Sequence, residues 1–352
     1  MKRYVLLLYA FMLVFSALQS PLCAQFLYTS SPKLGLQSAT LENIMVLQTL
    51  RDADHQCPDR HSWFTGYGAG GNSRGDVIYD NESLRLVYDT KYDESFGGFL
   101  LGTDANLSDD CRLGAFFAYN SSVQTETQNF WDEKTNVDNY FWGLYGRKDI
   151  EGVYFLGTAA IGHSHLDESY ESQSPLVDWQ YSGESNAWRA FVYGEMGTEY
   201  RIGSLAIQPF WGLQYYYSSF GSFSSTSSPD RPLMLTFPAL RTNSFRNVLG
   251  IRLASDVWQD GDNLINLNCA AFWFHEFLDL DAIGGGTVVG VEPPRAPVYT
   301  TISQQNAGRD WVVLTPTFEW KKGAFRLWAG YIALFNERET IQMGQGGVGY
   351  CW

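Results

Sequence analysis

Trp188-Arg189-Ala190-Phe191-Val192-Tyr193-Gly194-Glu195-Met196-Gly197-Thr198-Glu199-Tyr200-Arg201-Ile202 is the stretch on which the fold turns. Its even positions are Trp188, Ala190, Val192, Gly194, Met196, Thr198, Tyr200 and Ile202; its odd positions include Arg189, Glu195, Glu199 and Arg201. Alternation with a period of two marks a strand. One face is apolar with an aromatic near each end, and the other carries charges of both signs. A soluble sandwich would bury the apolar face under a second sheet. A membrane barrel gives it to lipid and turns the charges to the lumen. The same division recurs in Phe245, Leu249, Ile251 and Leu253 against Arg246 and Arg252. It returns less cleanly in Leu113, Ala115, Phe117 and Tyr119 against Arg112, Gly114 and Phe116.

Twelve such strands can be counted, near 62–70, 97–107, 112–120, 138–148, 152–163, 187–201, 204–217, 242–256, 263–276, 310–320, 324–335 and 341–352. Their connections alternate in length. Ser108-Asp109-Asp110, Ile150-Glu151, Ile202-Gly203, Gln259 to Asp262 and Lys321-Lys322-Gly323 are turn-like. Segments 71–96, 121–137, 164–186, 218–241 and 277–309 read as long polar loops, and Asn336-Glu337-Arg338 as one short one. Short periplasmic turns, long external loops and an even strand count are the pattern of bacterial barrels. A first strand rising from the periplasm brings the twelfth back there. That strand ends with Val348, Tyr350 and Trp352 on one face, and its aromatic last residue reads as a barrel-assembly signal.

The fold expected is all-β: a transmembrane antiparallel β-barrel of about 12 strands, with a short N-terminal helix that can lie inside the pore. Composition agrees. Aromatics make up 16% of residues, charged residues only 18%, and glycine occurs 34 times, as aromatic girdles and bent strands require. Mean hydropathy is −0.20, and beyond the leader every apolar run is broken, so spanning helices are not expected. Only helices and closed barrels satisfy their backbone in lipid.

Residues 1–24 read as a signal peptide: Lys2 and Arg3, an apolar stretch from Val5 to Leu18, and Leu22-Cys23-Ala24 as the cleavage site. Ser20-Pro21-Leu22 makes a poor lipobox before Cys23. Residues 25–60 form a short segment, and 61–352 the barrel. In that segment Leu41, Ile44 and Met45 fall at i, i+3 and i+4, with Thr40 as N-cap, so a pore helix is expected, with a mobile lead-in or a peripheral amphipathic helix as the alternatives. The stripe is imperfect because Gln48 takes i+7. Losing Lys2 and Arg3 takes the formal charge from −14 to −16, which excludes nucleic acid as a partner. The acids Asp167, Glu168, Glu171, Asp178 and Glu184 fall in segments read as solvated loops.

Chemistry is scarce. Among the mature cysteines a Cys57–Cys111 bridge is preferred, near an oxidising periplasmic rim; Cys269 faces lipid beside Leu267 and Ala271. His163-Ser164-His165 with Asp167 is the cluster that invites a catalytic or metal reading. No activated nucleophile accompanies it, and polar residues at a strand-to-loop boundary are ordinary. Gly284-Gly285-Gly286 lacks the strand-to-helix context of a phosphate loop and reads as flexibility. His275-Glu276 lacks the second His of a zinc helix. No catalytic residue, cofactor or metal is expected.

Several fragments resemble one family. Gly97-Gly98-Phe99-Leu100-Leu101-Gly102-Thr103-Asp104-Ala105-Asn106-Leu107 and Arg112-Leu113-Gly114-Ala115-Phe116-Phe117-Ala118-Tyr119 resemble the second and third strands of the autotransporter translocator domain of type V secretion. Gly143-Leu144-Tyr145-Gly146-Arg147 resembles its fourth. Glu195 to Tyr200 with Gln208-Pro209-Phe210-Trp211-Gly212-Leu213-Gln214-Tyr215 resembles its central hairpin, a proline inside a strand included. Arg246 to Arg252 and Trp273-Phe274-His275-Glu276-Phe277 resemble later strands. The resemblance implies a twelve-stranded barrel with a helix threaded through its pore, leading to an exported passenger. Only Gln25 to about Arg60 precedes the barrel, too little for a stacked β-helix, so a translocator with little or no passenger is expected.

The function expected is protein secretion or transmembrane passage at the outer membrane, without enzyme activity. Arg189, Glu195, Glu199, Arg201, Arg246 and Arg252 would line a polar, water-filled lumen, and Trp188, Tyr200, Tyr350 and Trp352 would set its depth in the membrane. The expected partners are outer-membrane lipids, lipopolysaccharide, the barrel-assembly machinery and a short exported N-terminal segment. The alternatives are a small-solute porin, an adhesin working through its loops, or an outer-membrane hydrolase using His163 and His165.

Overall fold

The computed structural model describes residues 31–52, 59–81, 84–126, 131–172, 180–227, 233–237, 239–278, 282–290, 298–305 and 308–352. The expected signal peptide, Cys57 and Asp178 lie outside them. A helix, α1 (Ser31–Asp52), precedes the strands. The barrel strands are β1 (Arg60–Asn81), β2 (Leu84–Ser108), β3 (Cys111–Glu126), β4 (Trp131–Ile150), β5 (Val153–Ser172) and β6 (Gln180–Thr198, resumed at Tyr200–Ile202). They continue with β7 (Leu205–Phe220), β8 (Leu240–Asp260), β9 (Asn263–Glu276), β10 (Asp310–Lys322), β11 (Phe325–Phe335) and β12 (Glu339–Cys351). Each pairs antiparallel with the next, and β1 closes on β12 from His61 opposite Cys351 to Ser73 opposite Glu339. Closure removes the sheet edge, so the ladder satisfies the wall's backbone groups without water.

Side chains alternate as the opening stretch requires. Trp188 is 62% exposed on the outer face, while its neighbour Arg189 is 2% exposed inside. Val192 and Met196 also face out; Phe191, Tyr193 and Glu195 face in and are buried. The inner face is therefore mixed rather than purely polar, which corrects the expected water-filled passage. Trp63, Phe96, Phe116, Phe141, Phe210 and Phe272 all point inward and join one continuous core with α1. The lumen that twelve strands enclose holds a helix, and the inward rings fill what the helix leaves open.

Glycines accommodate these rings. A side chain at Gly143 would collide with the ring of Phe116 on β3, and one at Gly114 with Tyr145 on β4. The abundance of both residue types follows from this ring-over-glycine contact. At the β4–β5 turn, Ile150 pairs with Val153 across Glu151 and Gly152, whose φ values are 50° and 85°. Two positive φ angles give the turn that matches strand twist.

The long connections read as polar loops are mostly strand. β1 and β2 stay paired out to Asn81 opposite Leu84, and β4 and β5 out to Trp131 opposite Ser172. Polar side chains hid this, because in water both faces of a hairpin can be polar while its backbone still pairs. Asp167, Glu168 and Glu171 accordingly lie in β5 and Glu184 in β6, and Glu168 is buried inside. The two other long connections contain the hairpins Phe223–Ser227/Leu233–Phe237 and Ala282–Gly290/Val298–Gln305. Gly284-Gly285-Gly286, expected as a flexible loop, pairs with Thr300 to Ile302. Pairings of Tyr181 with Ser227, Leu233 with Gly290 and Asp76 with Gln305 join these hairpins to β6 and β1. The long-hairpin end is thereby ringed by a collar of sheet.

The cysteine pattern also differs. Cys111 and Cys269 are free, whereas Cys351 is disulfide-bonded. The expected Cys57–Cys111 bridge is not formed. Spacing along the chain could not tell which rim cysteine would be used. Cys269 faces outward as expected.

Candidate functional site

The helix defines the site. Every residue from Leu36 to Leu47 is buried, Leu41, Ile44 and Met45 among them. No face of α1 meets solvent over this stretch, so it lies within the barrel and not on its rim. The three apolar side chains contribute roughly 1.5–3 kcal/mol each by leaving water. Thr40 is not the N-cap, because the helix begins nine residues earlier, at Ser31. Its hydroxyl instead donates to the Leu36 carbonyl one turn back, at 2.7 Å, a common use of threonine inside a helix.

Polar bonds tie α1 to strands around the wall. Tyr67 of β1 donates to Glu42 Oε1 at 3.4 Å, and Asn120 of β3 donates to the same oxygen. Gln214 of β7 and Arg246 of β8 each reach Thr40 Oγ1 at 3.4 Å. Gln345 of β12 donates to Gln48. Gln214 and Arg246 lie six residues from the long-hairpin ends of their strands. Asp52 at the other end of the helix leads to Arg60 at the short-turn end. The N-terminus of α1 therefore points toward the collar.

Glu42 is the centre of the largest of these contacts. Asn120 in turn accepts from Asn139 of β4 at 2.7 Å. Asn139 accepts from Ser164 of β5 at 2.6 Å and from Arg189 of β6. A single acidic side chain on the helix thus sits at the end of a buried relay through β3, β4, β5 and β6. A buried carboxylate is tolerated only with such partners.

Of the expected lumen residues, four are where the alternation puts them. Arg189, Glu195, Arg246 and Arg252 are buried and inward. Arg252 Nη2 meets both Glu195 oxygens at 2.7 Å, its Nη1 donates to Tyr154 at 2.8 Å, and its guanidinium lies 3.9 Å from the Phe210 ring centre. Arg246 pairs with Glu276 at 3.0 Å. Arg201 does not line the lumen. β6 breaks at Glu199, the alternation lapses, and Tyr200 to Ile202 are all exposed. The Arg201 side chain is 59% exposed and pairs with Glu199 at the short-turn rim.

Sequence reading missed Glu42, Asn120, Asn139 and Glu276. Glu276 was legible: Phe272, Phe274 and Glu276 share the inward register of β9. It accepts from Ser244 Oγ at 2.5 Å and the Phe245 amide at 2.8 Å besides Arg246. Glu42 was not legible, because a lone acid in a helix usually faces water. Val348, Tyr350 and Trp352 all point outward, and Arg60 lies over the Trp352 ring at 5.8 Å. His163 stands edge-on to Trp188, 5.2 Å between ring centres, so it belongs to the outer aromatic girdle.

A closed antiparallel barrel with an apolar outer belt and a helix held in its lumen is a plugged transmembrane barrel. The chain belongs to the autotransporter beta-domain family, which matches residues 63–332. It is thus an outer-membrane-type barrel of the secretion class. It is similar to the translocator domain of the autotransporter NalP from Neisseria meningitidis, with a TM-score of 0.65 at 14% identity, covering 91% of this chain and 98% of that one. The transport unit of the autotransporter AIDA-I from Escherichia coli aligns with a TM-score of 0.48 at 13% identity, over 85% of this chain and 92% of that one. Among curated proteins it is 25% identical over 252 residues to an extracellular serine protease of Serratia marcescens. The aligned part is 70% of this chain but 22% of that protein.

Proposed function

We propose that the chain stands in the outer membrane as a translocator, with the short turns in the periplasm and the collar outside, and that it passes polypeptide without transforming it. The observation that carries this reading is the buried, strand-tethered helix whose N-terminus points to the collar. A segment joined to that end would emerge on the outside, and the short N-terminal segment is the cargo the reading assigns. The bilayer and its lipopolysaccharide would meet the outward aromatics Trp188, Tyr200, Tyr350 and Trp352. The assembly machinery would read β12. Arg246 would hold the helix at Thr40 and Arg189 would join it through Asn139 and Asn120, while Glu195 and Arg252 would brace the wall against each other rather than wet an open channel. A small-solute pore is the weaker reading because the lumen is filled.

Planar-bilayer conductance of the full chain, compared with a deletion of residues 25–58 that spares β1, tests this. The full chain should conduct little and the deletion should open a large, steady channel. Equal conductance would remove the plug, and with it the translocator reading. Heat-modifiable migration of the outer-membrane fraction checks the location.

A further inference from the structure

The His163-His165-Asp167 cluster looks different once β6 is beside it. Asp167 stands directly opposite Glu184, and His165 opposite Asn186. All four side chains point out of the barrel, since the alternating residues Ser164, Leu166, Ser185 and Ala187 are buried inside. One ligand atom each from His165, Asp167 and Glu184 lie within 4.8 Å of one another. His165 Nε2 is 3.5 Å from Asp167 Oδ1. On the other flank, β4 places Asp138 opposite His165 and Asn136 opposite Asp167.

Their height on the barrel follows from the girdle. Ile161 is on the lipid-facing belt and the His163–Trp188 pair marks its upper edge. His165 and Asp167 are the next outward positions, about 7 and 14 Å farther along a strand that rises roughly 3.4 Å per residue. In the orientation proposed above, that carries them past the girdle to the headgroup side. Like charges directly opposite destabilise an antiparallel pair, and anionic headgroups add to the repulsion. Among the outward cations of β4 to β6, Lys134 lies a rung beyond the cluster, opposite Ser169, and Lys148 lies at the far, short-turn end beside Asp110.

We propose that His165, Asp167 and Glu184 bind a divalent cation of the zinc type on the outer face of the barrel. An imidazole with two carboxylates suits zinc, whereas calcium and magnesium favour oxygen alone. Tetrahedral bonds of about 2.0 Å set ligand atoms about 3.3 Å apart, close to the His165–Asp167 separation. The His165 Nδ1 faces Asn186 Oδ1 at 3.2 Å. A bond there from Nδ1–H leaves Nε2 unprotonated and turned toward the carboxylates, the orienting arrangement usual behind a metal-bound histidine. His163, engaged with Trp188, takes no part.

Isothermal titration of chelator-treated, detergent-solubilised full chain with zinc chloride tests the site. Wild type should bind one equivalent; His165→Ala and the double variant Asp167→Asn/Glu184→Gln should each bind about tenfold or more weakly. His163→Ala should bind as wild type. No binding by wild type, undiminished binding by the variants, or equal competition from calcium would overturn the proposal. Because a variant can fail to assemble, protection of His165 in the wild type from diethyl pyrocarbonate by zinc gives a second readout; unprotected modification also overturns it.

Discussion

Arg60 and Trp352 exchange both of their backbone hydrogen bonds, at 3.1 Å from the Arg60 amide and 3.0 Å from the Trp352 amide. The first residue of β1 and the last residue of the chain thus complete the closing ladder, and the indole lies outward, 60% exposed, at the short-turn rim. Deleting Trp352 removes this pair, worth about 1 kcal/mol per bond, together with an interfacial aromatic. The expected result is a clear fall in heat-modifiable barrel recovered from membranes, whereas Arg201→Ala, at the exposed rim, should leave recovery unchanged.

The hold on the helix should depend on Glu42. Glu42→Ala leaves the Asn120 amide buried without its acceptor, at about 1–3 kcal/mol, and cuts the helix from the relay that runs to Arg189. Single-channel recordings should show more frequent opening than wild type. Glu42→Gln keeps an acceptor and should open less often than Glu42→Ala. Identical traces for the three proteins would show that the relay does not secure the plug.

Arg252 and Glu195 form the best-defined ion pair in the lumen. Removing one partner of a buried pair costs about 3–5 kcal/mol, whereas replacing both with apolar groups can be neutral. Arg252→Met should therefore lower the temperature at which the folded gel band disappears, and Arg252→Met/Glu195→Leu should recover most of the loss. Additive losses would mean that the two residues act independently.

Gly143 is occupied from across the sheet by Phe116. Gly143→Val should destabilise the barrel by about 1–3 kcal/mol through overpacking, read as a lower urea midpoint. Phe116→Ala in the same chain should restore part of it, because the colliding ring is gone.

The twelve strands were legible because lipid on one side imposes a strict alternation. Trp188, Val192 and Met196 could face nothing else once Arg189 and Glu195 faced inward. The collar was not, because no such constraint acts above the membrane: a polar hairpin in water carries no period that distinguishes it from a loop. The inward rings of Phe191 and Tyr193 were written in the sequence yet read past, since charges on a face draw attention from the apolar residues between them. The pore helix showed in Leu41, Ile44 and Met45, but its start at Ser31 did not.

The amino-acid sequence by itself determined the barrel, its strand count, its outward girdle and the closing aromatic, since these follow from local alternation against a solvent that is the same everywhere around the wall. Tertiary structure alone decided what fills the middle. Glu42, Asn120, Asn139 and Arg189 lie on four different elements, and Asp167 meets Glu184 only through the β5–β6 register. Such meetings depend on closure and stagger of the whole sheet, which no short stretch of chain encodes.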